Sequence, residues 1–466
     1  ELHALAELYS EGHKVVTVDG TGGMGKTALA ASFVERFGWR WPDGVLTISF
    51  ASDVVDAAIF RRALIRLLLG EAAARQLAEA DVDTQVTAIL RALRDWDGLL
   101  LLDNYESVLQ GLADKSKDAE ATHHLAAQMA EGGAALLLTS RERPAGLRGE
   151  MLFPKPDEPL SGLSLPAAAA LFLQNSAKAK DGLRAHLELA ASVAGATDGH
   201  PLAVALLAGE YDVSAVAPAD FLANWENELR SAQRHGLMGH HRTFAAAFER
   251  SYGRLPEEGQ QRLRALSVFP FPFFATGARL SWGLSDDDQE LAAREGLDYF
   301  VRRSLLEVDA HFKDDTPATY RFQPALRQEV ARRAADDERP ARTAGYAAYG
   351  AWLAKQGYGN IHKDVGLNRL VRLSMPALEA ATETLGGVER LWHIRRLAWL
   401  KQAFGENETA YNLLTSALPE GSPLPDPATD REAAEVNSSL RYELAGLLVT
   451  RGDLDRALAL YQESLQ

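Results

Sequence analysis

The fold of this chain is decided by one stretch near its start, Gly20-Thr21-Gly22-Gly23-Met24-Gly25-Lys26-Thr27. It follows Val15–Val18, a short apolar and β-branched run that is typical of a buried parallel strand. After it, Leu29, Phe33 and Phe37 recur four residues apart and predict the apolar face of a helix. A strand, a loop of the form G-x-x-x-x-G-K-[ST] and a helix, in that order, predict a phosphate-binding loop (P-loop).

The predicted P-loop is chemically suited to the phosphates of ATP or ADP. Glycines allow backbone conformations that other residues resist, so successive N–H groups can turn toward one anion, and the following helix adds partial positive charge at its N-terminus. The Lys26 ammonium is expected to reach the β- and γ-phosphates, and the Thr27 hydroxyl is expected to bind Mg²⁺. The predicted nucleotide-binding residues of this stretch are Thr21, Gly22, Gly23, Met24, Gly25, Lys26, Thr27 and Ala28.

A second acidic segment follows four leucines. Asp103 ends the apolar run Leu99–Leu102, which places it at the edge where open α/β sheets bind ligands. We expect it to hold Mg²⁺, directly or through a water molecule. Asn104 stands where many vigorous ATPases have a second acid, and because an amide cannot take a proton from water, slow ATP hydrolysis is expected. Glu106 is a candidate to activate the attacking water, although it can equally cap or solvate the next helix.

A third apolar run ends in a basic residue. Ala134–Leu138 predicts another buried strand, and Thr139-Ser140-Arg141 follows it directly. An arginine at that strand end can reach the γ-phosphate and distinguish ATP from ADP. The alternative for Arg141 is a solvated side chain in a charged loop. The predicted catalytic set is therefore Lys26, Asp103, Glu106 and Arg141.

Composition narrows the classes of protein that fit. The net charge is −15, which argues against non-specific nucleic-acid binding by the chain as a whole. The absence of cysteine excludes disulfides and thiolate chemistry, and it agrees with a cytoplasmic protein. No run approaches the roughly 18–20 apolar residues that a membrane-spanning helix needs. Because the chain begins and stops within helical patterns, we interpret it as a piece of a longer protein.

The pattern along the chain predicts several domains. Strand-like runs alternate with helical stretches over residues 1–155, which predicts a parallel sheet with helices on both faces. Residues 156–240 read as an all-helical domain. Residues 336–430 are predicted to be a helical linker or superhelical region. Residues 431–466 contain Gly-Asp between two helices and then Ala and Tyr four apart, which predicts the start of tetratricopeptide-like repeats.

The segment between these helical regions has a different pattern. Residues 241–335 contain helices and then a predicted hairpin of Leu305–Val308 and Thr319–Phe322 around the polar insert His311–Pro317. Helices followed by a hairpin predict a winged-helix domain. Because this segment has fourteen basic and fourteen acidic residues, DNA is an unfavoured partner.

These motifs, in this order, resemble the NB-ARC class of signal-transducing ATPases with numerous domains (STAND proteins). The resemblance rests on the P-loop, Leu99–Asp103, Thr139-Ser140-Arg141, Gly199-His200-Pro201-Leu202-Ala203 and the predicted winged helix. It implies that Pro201 packs against adenine. It also implies that the position of the family's phosphate-contacting histidine is taken here by Gln323, which can still donate a hydrogen bond.

The resemblance implies an ATP/ADP-dependent switch. With ADP the helical and winged-helix domains would close over the nucleotide, and with ATP the protein would open and form homo-oligomers. Slow hydrolysis would act as a reset, and the repeats would sense a protein or ligand. Host defence, cell death and transcription control are all compatible with such a core. The alternatives are an ATP-driven motor or remodelling ATPase, and a winged-helix transcription regulator.

Overall fold

The structure is a computed structural model of the 466-residue chain. It describes residues 1–50, 55–78, 80–154, 160–181, 184–225, 239–284, 289–309, 318–419 and 425–465.

The first part of the chain forms a five-stranded sheet whose paired neighbours all run parallel. The strands are β1 Val15–Asp19, β2 Val45–Ser49, β3 Leu99–Asp103, β4 Ala135–Ser140 and β5 Glu150–Phe153. Their spatial order is β2-β3-β4-β1-β5, so the chain crosses over between sequential strands. β1, β3 and β4 coincide within a residue or two with the apolar runs predicted from the sequence.

Helices cover both faces of this sheet. In β3, Leu99 and Leu101 belong to one cluster of buried side chains, and Leu100 and Leu102 belong to another. Alternate side chains of a strand point to opposite faces, which is why a run of four leucines serves a sheet that is buried on both sides. The helices are α1 Leu2–Ser10, α2 Lys26–Phe37, α3 Ala57–Gln76, α4 Val82–Arg94, α5 Glu106–Ala113 and α6 Lys117–Glu131. The predicted P-loop α/β domain is confirmed.

The chain then becomes helical, as predicted. The α-helices described after the sheet are α7 Leu165–Asn175, α8 Arg184–Ala196 and α9 Pro201–Val213. They are followed by α10 Gly239–Gly253, α11 Glu257–Leu266, α12 Ala275–Ser281, α13 Glu290–Arg302 and α14 Pro324–Ala331.

A small antiparallel sheet lies among these later helices. Its strands are β6 Phe273–Phe274, β7 Glu307–Val308 and β8 Thr319–Arg321, in the order β6-β8-β7. The pairing of β7 with β8 is the hairpin that the sequence predicts, although β7 is shorter than expected. The polar insert His311–Pro317 lies outside the described residues.

The remaining elements are helices. They are α15 Arg339–Gly357, α16 Val365–Leu373, α17 Met375–Thr384, α18 Gly387–Ala403, α19 Asn407–Ala417, α20 Arg431–Thr450 and α21 Leu454–Ser464. One contiguous cluster of buried apolar side chains runs from Ala168 in α7 to Leu400 in α18, so the helices as far as α18 share a core with the small sheet. The buried apolar residues of α19, α20 and α21 belong to a second cluster. Among the described helices, none combines the length and the apolar character that crossing a bilayer requires.

Candidate functional site

The P-loop joins β1 to α2 at the carboxyl edge of the large sheet. Gly23 and Gly25 have φ angles of +80° and +88°, a left-handed conformation that favours glycine. Gly25 is also the N-cap residue of α2, and the helix begins at Lys26. The sequence folds this way because two glycines can make the turn that brings the end of a buried strand to the first turn of a helix. The result is a loop with a helix N-terminus at its base, the arrangement that suits a phosphate.

Lys26 lies at the mouth of this loop. Its Nζ donates to the carbonyl oxygens of Gly20 at 2.6 Å and Thr21 at 3.1 Å. Burial lowers the pKa of Lys26 to about 8, and the nearby carboxylate of Glu106 partly offsets this effect. The Thr21 hydroxyl is buried and has no hydrogen-bond partner among the described residues. A buried ammonium and an unpartnered hydroxyl on one glycine-rich loop fit a phosphate ligand.

The two residues predicted to hold Mg²⁺ are in direct contact. The Thr27 hydroxyl, on the first turn of α2, donates to Asp103 Oδ1 at 2.8 Å. The hydroxyls of Thr139 and Ser49 donate to the same carboxylate at 2.6 and 3.2 Å, and the Asn104 amide donates to it at 2.7 Å. Hydroxyl and carboxylate oxygens are ligands that Mg²⁺ accepts, so the donor set fits this ion.

Ser49 was missed by the sequence reasoning. The signal for it was available, because Ser49 ends β2, and β2 pairs with β3 so that Ser49 lies opposite Asp103. Polar residues at the ends of adjacent parallel strands meet at the same edge of a sheet. Asn104, which stands where many vigorous ATPases have a second acid, has a φ of +58° and donates a hydrogen bond that positions the Asp103 carboxylate.

Glu106 and Arg141 form an ion pair beside the P-loop. Glu106 Oε1 lies 3.0 Å from Arg141 Nε, and the two side chains are 15% and 27% exposed. A Cβ atom placed on Gly22 would lie 3.1 Å from Arg141 Cζ, so the guanidinium group covers the loop at this residue. Glu106 Oε2 is buried and has no hydrogen-bond partner within the described part of the chain. Arg141 is thus paired rather than solvated, whereas Arg143 is 61% exposed and pairs with Glu150.

Helix α9 covers another part of the P-loop. A Cβ atom on Gly23 would lie 2.8 Å from Leu202 Cδ2 and 3.1 Å from His200 Cε1. Pro201 is the first residue of α9, and its Cγ would lie 3.9 Å from a Cβ atom on Gly25. The His200 side chain caps the helix by accepting from the Ala203 N–H group at 3.3 Å. The segment Gly199–Ala203, which begins 172 positions after Thr27, is therefore brought against the P-loop.

Helix α14 covers the P-loop from a third direction. A Cβ atom on Gly22 would lie 3.4 Å from Ala325 Cβ, and Gln328 Oε1 accepts from Arg141 Nη1 at 2.7 Å. Gln323 is the N-cap residue of this helix, and its side-chain amide donates to Glu307 Oε1 at 2.5 Å. Helix α14 thus contacts the P-loop through Ala325, and it contacts Arg141 through Gln328. Sequence reasoning did not single out either of them.

No protein-family model matches this chain. The chain is 29% identical over 343 residues to the regulatory protein AfsR of Streptomyces griseus, over 70% of this chain and 30% of that protein. The chain therefore spans about a third of the length of this relative.

Solved structures were also found to be similar. One is a STAND protein with a tetratricopeptide repeat sensor from Pyrococcus horikoshii, at 15% identity and a TM-score of 0.45, over 100% of this chain and 63% of that one. Another is the ORC2 protein of Aeropyrum pernix, at 13% identity and a TM-score of 0.27, over 71% of this chain and 93% of that one. A STAND protein is among the similar structures.

Proposed function

We propose that this chain is the nucleotide-dependent switch of a STAND signalling protein, closed with ADP and open with ATP. The observation that carries the proposal is that Arg141, helix α9 and helix α14 all cover the P-loop. Helix α9 packs on Gly23, and both Arg141 and α14 pack on Gly22. Elements from distant parts of the sequence can favour one nucleotide over another only if their contacts differ between the two bound states.

The residues around the P-loop have distinct proposed roles. Lys26 binds the phosphates, and Thr27 and Asp103 hold Mg²⁺, which neutralises phosphate charge when it is bound. Pro201 bounds the adenine side of the site, and Arg141 reads the γ-phosphate. Moving a population from 1:99 to 99:1 takes about 5.5 kcal/mol of differential binding, so several such contacts must contribute.

Slow hydrolysis is part of this proposal. Glu106 is the candidate to orient water, because its Oε2 is buried and has no hydrogen-bond partner among the described residues. Its Oε1, however, is engaged by Arg141. Because Glu106 is paired with Arg141, its carboxylate can act as a base only when Arg141 moves away. Such an enzyme would turn over slowly and reset the switch.

The outer parts of the chain extend the proposal. The sheet β6-β8-β7 together with α11, α12 and α13 supports a winged-helix domain at residues 241–335. The helical pair α20 and α21 supports the first tetratricopeptide-like repeat at residues 431–466. We assign residues 1–155 to the nucleotide-binding domain, 156–240 to a helical domain and 336–430 to a helical connection. Sensing by the repeats, and homo-oligomers in the ATP state, belong to the same proposal.

The content of the purified chain tests the proposal. The protein is purified without added nucleotide and denatured, and the released nucleotide is identified by chromatography. Stoichiometric ADP is expected from the wild-type chain, and none from Lys26→Ala. An empty wild-type chain that hydrolyses added ATP rapidly would favour a motor or remodelling ATPase instead.

A further inference from the structure

The guanidinium group of Arg141 connects three separate elements. It lies over Gly22 of the P-loop, its Nε faces Glu106 at the start of α5, and its Nη1 donates to Gln328 of α14. Gln328 is 187 residues away in sequence, so its bond to Arg141 depends on how α14 is packed. Ala325, on the same helix, packs on the same glycine. Any ligand group that draws Arg141 toward the P-loop therefore acts on α14 as well.

The interactions of Arg141 with its two partners, Glu106 and Gln328, differ in strength. Glu106 belongs to the same domain and offers a charge, whereas Gln328 offers the neutral oxygen of an amide. A hydrogen bond between a charged and a neutral group is weaker than an ion pair with a doubly charged phosphate in a partly buried site. The contact with Gln328 is thus strong enough to position Arg141 but can be displaced by a third phosphate.

We propose that Gln328 is a positioning residue that sets the preference of the site between di- and triphosphate nucleotides. It holds Arg141 on α14 when no γ-phosphate is present, and the binding of a triphosphate has to break this contact. Each triphosphate bound therefore weakens the attachment of α14 to the P-loop. This inference rests on the proposed function, since it assumes that Arg141 reads the γ-phosphate.

Two substitutions at one position should have opposite effects. Gln328→Ala removes the competing acceptor, so affinity for a triphosphate should rise by about tenfold relative to ADP, in proportion to a charge-assisted hydrogen bond. Gln328→Glu gives Arg141 a second carboxylate in nearly the same shape, so relative affinity for the triphosphate should fall by a similar factor. A role in packing alone would not produce changes of opposite sign.

The experiment measures the dissociation constants of ADP and of a non-hydrolysable ATP analogue, both with Mg²⁺, for the chain of residues 1–466. Wild type, Gln328→Ala and Gln328→Glu are compared, and each is repeated in an Arg141→Ala background. The effects of the Gln328 substitutions on the affinity ratio should disappear in that background, because the contact they alter is gone. Arg143→Ala is the matched control, since this arginine is exposed and pairs with Glu150.

The outcomes separate this inference from the proposed function. If Arg141→Ala lowers the preference for the triphosphate while both Gln328 variants match wild type, the inference is wrong and the proposed function stands. The same conclusion follows if the Gln328 effects persist without Arg141. If the wild-type chain binds neither nucleotide, or if Arg141→Ala leaves the ratio unchanged, both are wrong.

Discussion

The Lys26 side chain donates to two P-loop carbonyl oxygens, and its charge depends on pH near neutrality. Burial lowers its pKa to about 8, so the unbound chain loses this proton as the pH rises through about 8. Phosphates bind the charged form. We therefore expect ADP affinity to be nearly constant below about pH 7.5 and to fall by up to tenfold per pH unit above about pH 8. Titration calorimetry at several pH values between 7 and 9.5 measures this.

Lys26→Arg is the control for this dependence. A guanidinium group stays charged throughout the range, so the decline above pH 8 should disappear even if the overall affinity is lower. An equally steep decline in Lys26→Arg would assign the titration to another group.

At the residue scale, the sequence predicted the side chains that belong to the motifs. It missed the side chains that the fold brings to the P-loop from distant parts of the chain. Thr27 and Asp103 were predicted to share an ion, and they are in contact. Arg141 was predicted to be near the phosphates, and it covers Gly22. Gln328 could not be predicted, because nothing in the local pattern of an amphipathic helix says which of its residues meets Arg141, 187 positions away.

At the scale of elements, the contact between the P-loop and α9 leads to a testable prediction about Gly23. This residue has a φ of +80°, and an added Cβ would lie 2.8 Å from Leu202 Cδ2 and 2.9 Å from Leu202 Cβ. Gly44 has a φ of +91° with nothing within 4 Å of the same position. Both Gly→Ala substitutions carry the conformational cost of a left-handed backbone, about 1–2 kcal/mol, but only Gly23→Ala also pushes against α9.

We expect Gly23→Ala to lower the free energy of unfolding by about 2 kcal/mol more than Gly44→Ala, in the range of overpacking. Chemical denaturation without nucleotide compares the two variants. In the double variant with Leu202→Ala, the two losses should be less than additive, since the smaller side chain leaves room for the new methyl group. Equal losses in the two single variants would mean that α9 does not rest on Gly23 in solution.

The elements that the sequence predicted best are those with a strong local pattern. The strands β1, β3 and β4 carry the apolar runs from which they were predicted, and those runs are buried. The strands β6 and β7 have two residues each, too few to produce an alternating pattern, and only their pairing with β8 defines them. Short strands of this kind depend on tertiary contacts rather than on local preference.

At the scale of the whole molecule, the sequence predicted which segments fold but not how they pack on one another. The region around α16 and α18 was predicted to be helical, and its contact with the nucleotide-binding domain was not foreseen. Gly405, which follows α18, is near α3 and the residues after it: an added Cβ would lie 3.6 Å from both Ala78 Cβ and Arg75 Cα.

Charged pairs lie across this junction between α3 and the region around α16 and α18. Arg62 of α3 pairs with Glu406 at 2.8 Å, and Arg372 of α16 lies 3.7 Å from Glu71 of α3.

This junction links α3, in the nucleotide-binding domain, to the helices that precede the predicted repeats. Burial lowers the pKa of Arg372 to about 10, and the neighbouring Arg66 adds to the effect. Under the proposed function, a signal received by the C-terminal helices would reach the nucleotide site by loosening this contact. The closed form should therefore depend on charge complementarity at α3, far from the P-loop.

Arg62→Glu tests this dependence. It replaces an attraction to Glu406 by a repulsion, and because both side chains are partly exposed, we expect a cost of about 1 kcal/mol. Release of a fluorescent ADP analogue should become about fivefold faster, and small-angle scattering should give a larger radius of gyration. Arg91→Glu, at an exposed position on α4, makes the same change in net charge and should leave both quantities at the wild-type value. If both variants behave as wild type, the closed form does not rely on the α3 junction, and the covers on Gly22 and Gly23 hold the nucleotide without it.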